Sequence, residues 1–203
     1  FFGNSVAISG SNIVVGVHSD DDKGSNSGSA YIYDTSGNFI RKIVPSDANA
    51  HDYFGISVAI SGSTLVIGAQ GDDDKGSKSG SVYIYDTSGN FIKKITAPDG
   101  AANDFFGRSA VISGSTIVVG AYGDDDKGSN SGSAYIYDTS GNFINKITAP
   151  DGAYGDWFGY DVAISSSNIV VGAYGDDDQG TDSGSAYIYD TSGNFINKIT
   201  APD

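Results

Sequence analysis

Three adjacent aspartates occur four times in this chain, as Asp20, Asp21 and Asp22, as Asp72, Asp73 and Asp74, as Asp124, Asp125 and Asp126, and as Asp176, Asp177 and Asp178. Each run opens a stretch of small polar residues, GDDDKGSNSG in the third copy, that has nothing apolar to pack. Like charges so close are costly, since unit charges ~4 Å apart repel by ~1 kcal/mol even in bulk water. A bound hard cation offsets that cost. Ca²⁺ is the cofactor the pattern points to, because it takes about 6–8 oxygens and serine hydroxyls, loop carbonyls and water can complete a set begun by carboxylates. Alternate side chains of an extended segment point the same way, so the first and third acids of a run converge and the middle one turns toward a neighbouring segment. Asp52, Asp104 and Asp156 are further metal candidates there. The pattern is not an EF-hand, having neither Asp-x-Asp-x-Asp-Gly nor a terminal glutamate. A site of this extracellular type fills at ~10⁻⁴–10⁻³ M Ca²⁺. The competing reading is a solvated loop that confers solubility through net charge.

Other chemistry has less support. Tyr122 and Tyr174 stand directly before two of the acidic loops, and an aromatic ring beside carboxylates is one form of a glycan site. Catalysis lacks its usual groups: there is no Cys or Glu, only two His occur, and no G-x-S-x-G elbow is present. Paired aspartates do acid and base work only where dissimilar environments split their pKa values, and repeats supply similar ones. The chain is therefore expected not to be an enzyme.

Composition narrows the partners. All 25 acidic residues are Asp, against 11 bases, for a net charge of −14. Such a chain repels nucleic-acid backbones and anionic membrane surfaces. No apolar run is long enough to span a bilayer, and with 38% hydrophobic and 12% aromatic residues there is material for a core. Asp without Glu fits strands and turns, where the short carboxylate bonds the following backbone.

The elements that must hold these loops repeat with a constant step of 52 residues, read from Phe2, Phe54, Phe106 and Phe158, without insertion or deletion. Periods of this size mark propellers, solenoids or arrays. In the third repeat Arg108 to Ser113, Thr116 to Ala121, Ser133 to Asp138 and Asn142 to Ile147 read as strands, rich in β-branched and aromatic residues and bounded by Gly, Ser, Asn or Asp. Four antiparallel strands per repeat make a β-propeller blade. The expected fold is all-β, a single repeat domain over 1–203 with blades at 1–52, 53–104, 105–156 and 157–203. The tyrosine pairs, such as Tyr135 and Tyr137, share one side of the third strand and read as filler between blades.

Because strands alternate direction, the acidic loop and the linker between blades fall on one face of the disc. That face collects the triplets, Asp182 and the linker acids Asp47, Asp52, Asp99, Asp104, Asp151, Asp156 and Asp203. Asp34, Asp86, Asp138, Asp190 and Asp161 stay off it. The bases do not offset this face on the sequence reading. Lys23, Lys75, Lys78 and Lys127 share the acidic loops, but Arg41, Lys42, Lys93, Lys94, Lys146 and Lys198 lie on the fourth, outermost strand, where charge discourages edge pairing.

The aromatic-Phe-Gly opening (Phe1-Phe-Gly3, Tyr53-Phe-Gly55, Phe105-Phe-Gly107, Trp157-Phe-Gly159), the VVGA segment and the Gly-Ser-Ala-Tyr-Ile-Tyr strand resemble the FG-GAP repeat, the blade of the integrin α-subunit propeller and of many bacterial surface proteins. The resemblance covers the whole chain and implies an extracellular or cell-surface module serving adhesion, surface display or assembly. Its partners would be proteins or glycans on a cell or matrix surface, with neither nucleic acid nor membrane insertion. Two departures stand out. The family's calcium loop joins the first and second strands, where this chain has only Ser-Gly-Ser, and family rings usually have seven blades. The alternatives are a lectin with one shallow pocket per blade and a structural segment of a longer array or filament, including self-association that completes a larger ring.

Overall fold

The computed structural model describes residues 1–202, so that Asp203, one of the linker acids, lies outside the described residues. The sixteen strands form four sheets. Blade 1 holds β1 (Ser5–Ser9), β2 (Asn12–Val17), β3 (Ser29–Asp34) and β4 (Phe39–Ile43). Blade 2 holds β5 (Val58–Ser61), β6 (Thr64–Ala69), β7 (Ser81–Asp86) and β8 (Phe91–Ile95). Blade 3 holds β9 (Ala110–Ser113), β10 (Thr116–Ala121), β11 (Ser133–Asp138) and β12 (Phe143–Ile147). Blade 4 holds β13 (Phe158–Ile164), β14 (Asn168–Ala173), β15 (Ser185–Asp190) and β16 (Phe195–Thr200). Every sheet is antiparallel with its strands in chain order, and no helix occurs among the described residues. No helix is therefore long and apolar enough to cross a membrane. The fold is the expected one, four blades of four strands.

Local chemistry fixes each turn. Between the third and fourth strands the Asp138 carboxylate accepts the Ser140 and Asn142 amides at 2.9 and 2.8 Å, and Gly141 takes the left-handed conformation the turn requires. Asp34, Asp86 and Asp190 repeat it. The outer pair in each blade carries a β-bulge at the tyrosine pair, after which the fourth strand leaves the register.

The core lies between blades. Phe106, Ile117, Val119 and Tyr135 of blade 3 pack against Val66, Val82, Ile84 and Ile95 of blade 2, and the same cluster recurs at the other two junctions. First strands line the inside, β1 against β5 and β5 against β9, while no comparable packing joins blade 1 to blade 4 among the described residues. The second-strand glycine follows from this close approach, because a Cβ on Gly68 would strike the carbonyl of Gly107 in the next blade.

Candidate functional site

The acidic loop leaves the second strand and folds back on itself. The Gly132 amide bonds the Asp124 carbonyl at 2.8 Å and the Asp125 carboxylate accepts the Asn130 amide at 2.7 Å, which brings Asn130 to a positive φ. The middle acid of each run is thus an exposed loop cap. Asp21, Asp73 and Asp177 make the same bond.

The first and third acids converge, and a cation already stands between them. Lys146 of β12 places Nζ 3.0 Å from Asp124, 2.6 Å from Asp126 and 2.7 Å from Asp99, the acid of the linker from blade 2. Lys94 holds Asp72, Asp74 and Asp47 at 2.8, 2.7 and 3.0 Å. Lys198 does the same with Asp176, Asp178 and Asp151. In blade 1 Lys42 meets Asp20 and Asp22 among the described residues. This corrects the sequence reading of these bases: they are not edge charges but reach over the third strand to pair with the acids of the loop. The long, flexible lysine stem allows it, and Lys146 lies over the Tyr135 ring on the way, 5.2 Å from its centroid.

The tyrosine does more than fill the junction. The Tyr135 hydroxyl reaches Asp124 at 2.9 Å and Asp99 at 2.8 Å, so it touches an acid of its own blade and one of the blade before. Tyr83 and Tyr187 reach the corresponding acids. Burial, then the charges of Asp124 and Asp99, raise the Tyr135 pKa, so its proton stays available. Burial alone would lower the Lys146 pKa, but the hydrogen bonds it donates to Asp126, Asp99 and Asp124 outweigh it and hold the ammonium above the usual lysine value. Against its own desolvation, Asp99 is kept below the ordinary carboxylate range by Lys146 and Tyr135, and Asp20 falls to about 2 through Ser29, Lys42 and Tyr31.

Asp52, Asp104 and Asp156 go elsewhere. Each is buried at the end of the linker, where one oxygen accepts an amide of that linker, Ala101 to Asp104 at 2.7 Å. No lysine reaches them. Desolvation, reinforced by the charges of Asp124 and Asp125, raises Asp104 to about 6, and burial beside Asp72 takes Asp52 to about 6. Repeats therefore do split the acids, because positions within one repeat differ even where the repeats agree. The raised acids, Asp52, Asp104 and Asp156, are shut from solvent.

Tyr122 stacks on Phe105 at 4.9 Å and meets Tyr160 of β13 edge-on at 5.3 Å, so its ring is taken up in packing between aromatic side chains. Tyr174 stacks between Trp157 and Tyr160, 5.5 Å from each, and stays largely exposed. Shallow hollows open at the same station of two blade junctions. One, of about 380 Å³, is lined by Tyr53, Asp73 and Lys78, the other, of about 240 Å³, by Trp157, Asp177 and Asp182.

A family profile described as FG-GAP repeat matches residues 1–33, 38–85, 90–137 and 142–189. The chain belongs to the FG-GAP repeat family. Comparison with curated proteins finds no match. FG-GAP repeats are typical of extracellular and surface proteins of the adhesion type. Here the acids that cluster lie after the second strand of the FG-GAP blade, and the first turn is too short to carry a cation loop. Three carboxylates lie close enough to hold a metal ion at Asp99, Asp124 and Asp126 and at Asp151, Asp176 and Asp178.

Sequence reasoning missed the lysine and the tyrosine, though a signal was present. Lys42, Lys94, Lys146 and Lys198 keep the 52-residue step, whereas the position before each is Arg41, Lys93, Asn145 and Asn197. The base that never changes is the one the loop uses.

Proposed function

We propose that this chain is an extracellular, non-enzymatic FG-GAP module that engages a protein or glycan on a cell or matrix surface through its acidic loop face. The observation that carries this reading is the hollow at two of the blade junctions, where an aromatic ring, Tyr53 or Trp157, meets the middle acid of a triplet, Asp73 or Asp177, that forms no ion pair with a lysine. Aromatic ring plus free carboxylate is chemistry for a cationic protein surface or a sugar ring. The test is adhesion of cells and matrix proteins to the immobilised chain. Asp73→Asn, Asp125→Asn and Asp177→Asn together are expected to weaken binding at least tenfold, while changes on the opposite hairpin face leave it intact. Equal binding by both sets would remove the loop face from the contact.

Calcium at the triads is a second reading, favoured by the convergence of three carboxylates in blades 3 and 4. The lysine ammonium holds the place such an ion would take, so Ca²⁺ must displace it. Melting the chain in EDTA and across a Ca²⁺ titration, with Mg²⁺ as control, decides this. A site at 100 times its Kd adds about 2.7 kcal/mol. A Tm rise saturating near millimolar Ca²⁺ would establish the site, and no shift beyond matched ionic strength would leave lysine as the cation of these loops.

A further inference from the structure

The second tyrosine of the pair on each third strand faces the linker that arrives from the blade before. At two junctions its hydroxyl is used there: Tyr137 donates to the Thr96 carbonyl at 3.0 Å and Tyr189 to the Thr148 carbonyl at 2.9 Å. Tyr85 holds the same position between blades 1 and 2 and is only 5% exposed, yet its hydroxyl has no partner among the described residues. The linker sequence accounts for this. It reads Val44-Pro45-Ser46 where the other two read Thr96-Ala97-Pro98 and Thr148-Ala149-Pro150, so proline stands one place nearer the strand and restricts Val44, whose carbonyl is the counterpart of the two acceptors.

Tyr85 lines instead a groove of about 640 Å³ between the two blades, which runs along the rim from the linker acid Asp47 to the turn at Gly89. That volume falls within the ~300–1,000 Å³ of small-molecule sites. Burial and the charge of Asp47 push the Tyr85 pKa up to about 12, so it keeps a proton to donate. Phe91, 57% exposed, lies edge-on to Tyr85 at 5.6 Å and lines the same groove.

Arg41 lines it too. Its Nη1 bonds the carbonyls of Ser88 and Gly89 at 2.9 and 3.3 Å, clasping blade 1 to blade 2, and its other nitrogens have no partner among the described residues. It forms no ion pair there, whereas Lys42 pairs with Asp20 and Asp22, and Asp47 with Lys94. Lys93 and Asn145 make the same clasp at the next two junctions, so arginine is not needed for it.

We infer that this groove binds a sugar that carries a carboxylate, a uronic acid within an oligosaccharide. The unpaired guanidinium takes the carboxylate through its planar fork of donors. The Tyr85 hydroxyl donates to an oxygen of the sugar, and the half-open Phe91 ring packs on the apolar face of the pyranose. A free cation, a free hydroxyl and an open ring stand together at this junction, which selects an acidic sugar over a neutral one. The site lies apart from the loop-face hollows at Asp73 and Asp177 and does not rest on their role.

The test is calorimetric titration of the full chain, in EDTA, with a tetrasaccharide containing glucuronic acid, beside a neutral glucose tetrasaccharide and tetraglutamate. A Kd below ~1 mM is expected for the uronate alone. Arg41→Asn keeps the clasp, as Asn145 does with the Ser192 carbonyl at 3.0 Å, and should weaken binding about tenfold or more. Tyr85→Phe should weaken it about fivefold with an unchanged Tm. Tyr137→Phe, which loses the bond to Thr96, should do the reverse, lowering the Tm and leaving the affinity as it was. Asp73→Asn with Asp177→Asn should not weaken binding. Absence of uronate binding would overturn the inference, as would equal binding of the neutral sugar or of tetraglutamate. So would full affinity in Arg41→Asn or Tyr85→Phe, or weakening by the Asp73 and Asp177 changes, which would put the sugar on the loop face. A Tyr85→Phe chain that melts as low as Tyr137→Phe would also overturn it, because the hydroxyl would then have its partner inside the chain.

Discussion

Asp156 and Asp176 are neighbouring carboxylates, 5% and 3% exposed, yet they hold protons with opposite strength. Burial and the charge of Asp176 raise the Asp156 pKa. Asp176 suffers the same desolvation, but Tyr187 and Lys198 bond it and bring it below the ordinary value. Residue type and burial are the same, so the difference is the partner. A buried carboxylate with an ammonium and a hydroxyl is a stable anion, and one with only a backbone amide is a strained one.

Removing the ammonium should erase the difference, with the largest effect. Lys146→Met leaves three carboxylates facing one another, and breaking a buried pair from one side costs ~3–5 kcal/mol. Urea unfolding at neutral pH measures it, and a loss under about 1 kcal/mol would mean the pair is no more than a surface contact. In that variant Ca²⁺ is expected to raise the Tm, since the acids then lack a cation.

Asp104→Asn tests the strained class, because the amide oxygen keeps the Ala101 bond and loses the charge. The folded pKa of about 6 lies above the ordinary aspartate value of 3.8. As pH rises through that window the unfolded chain releases its proton first, so the native carboxylate loses stability and bears the full penalty above about pH 6. The variant should gain ~1–2 kcal/mol at pH 7–8 and nothing below about pH 4. A gain equal at both pH values would sink this account. The lysine-bound acids behave oppositely: Asp99 and Asp176 contribute above the ordinary carboxylate pKa and lose that contribution as pH falls through their lowered folded values.

Smaller effects sharpen the picture. Tyr135→Phe removes one hydroxyl from two acids, and a loss of ~1–2 kcal/mol in thermal or urea unfolding is expected. Asp125→Asn breaks no ion pair and retains an acceptor for the Asn130 amide, so its stability change should stay within ~0.5 kcal/mol. A larger loss there would show that the middle acid also shares the cluster.

Strands, turns and blade order were legible because they rest on local chemistry: period-two apolar patterns, Asp and Gly at turns, and a phenylalanine-glycine pair every 52 residues. The convergence of the first and third acids in each run also follows from strand geometry. What escaped was the lysine, which lies 22 residues beyond its acid and two strands away, as in Asp124 and Lys146. Read along the chain it is an edge-strand charge, and only its return across the tyrosine ring makes it a counter-ion. The linker acids were misplaced for a similar reason. Asp99 and Asp104 sit in one loop, but the backbone turns one toward Lys146 and seals the other beneath the linker.

The sequence by itself determined the all-β blade, its four-fold repetition and the gathering of acids on one face, since each follows from residue type and spacing. Tertiary structure alone decided which acids are paired and which strained. Both depend on contacts between blades, where identical repeats meet different neighbours, and a repeated sequence carries no local mark of its neighbour.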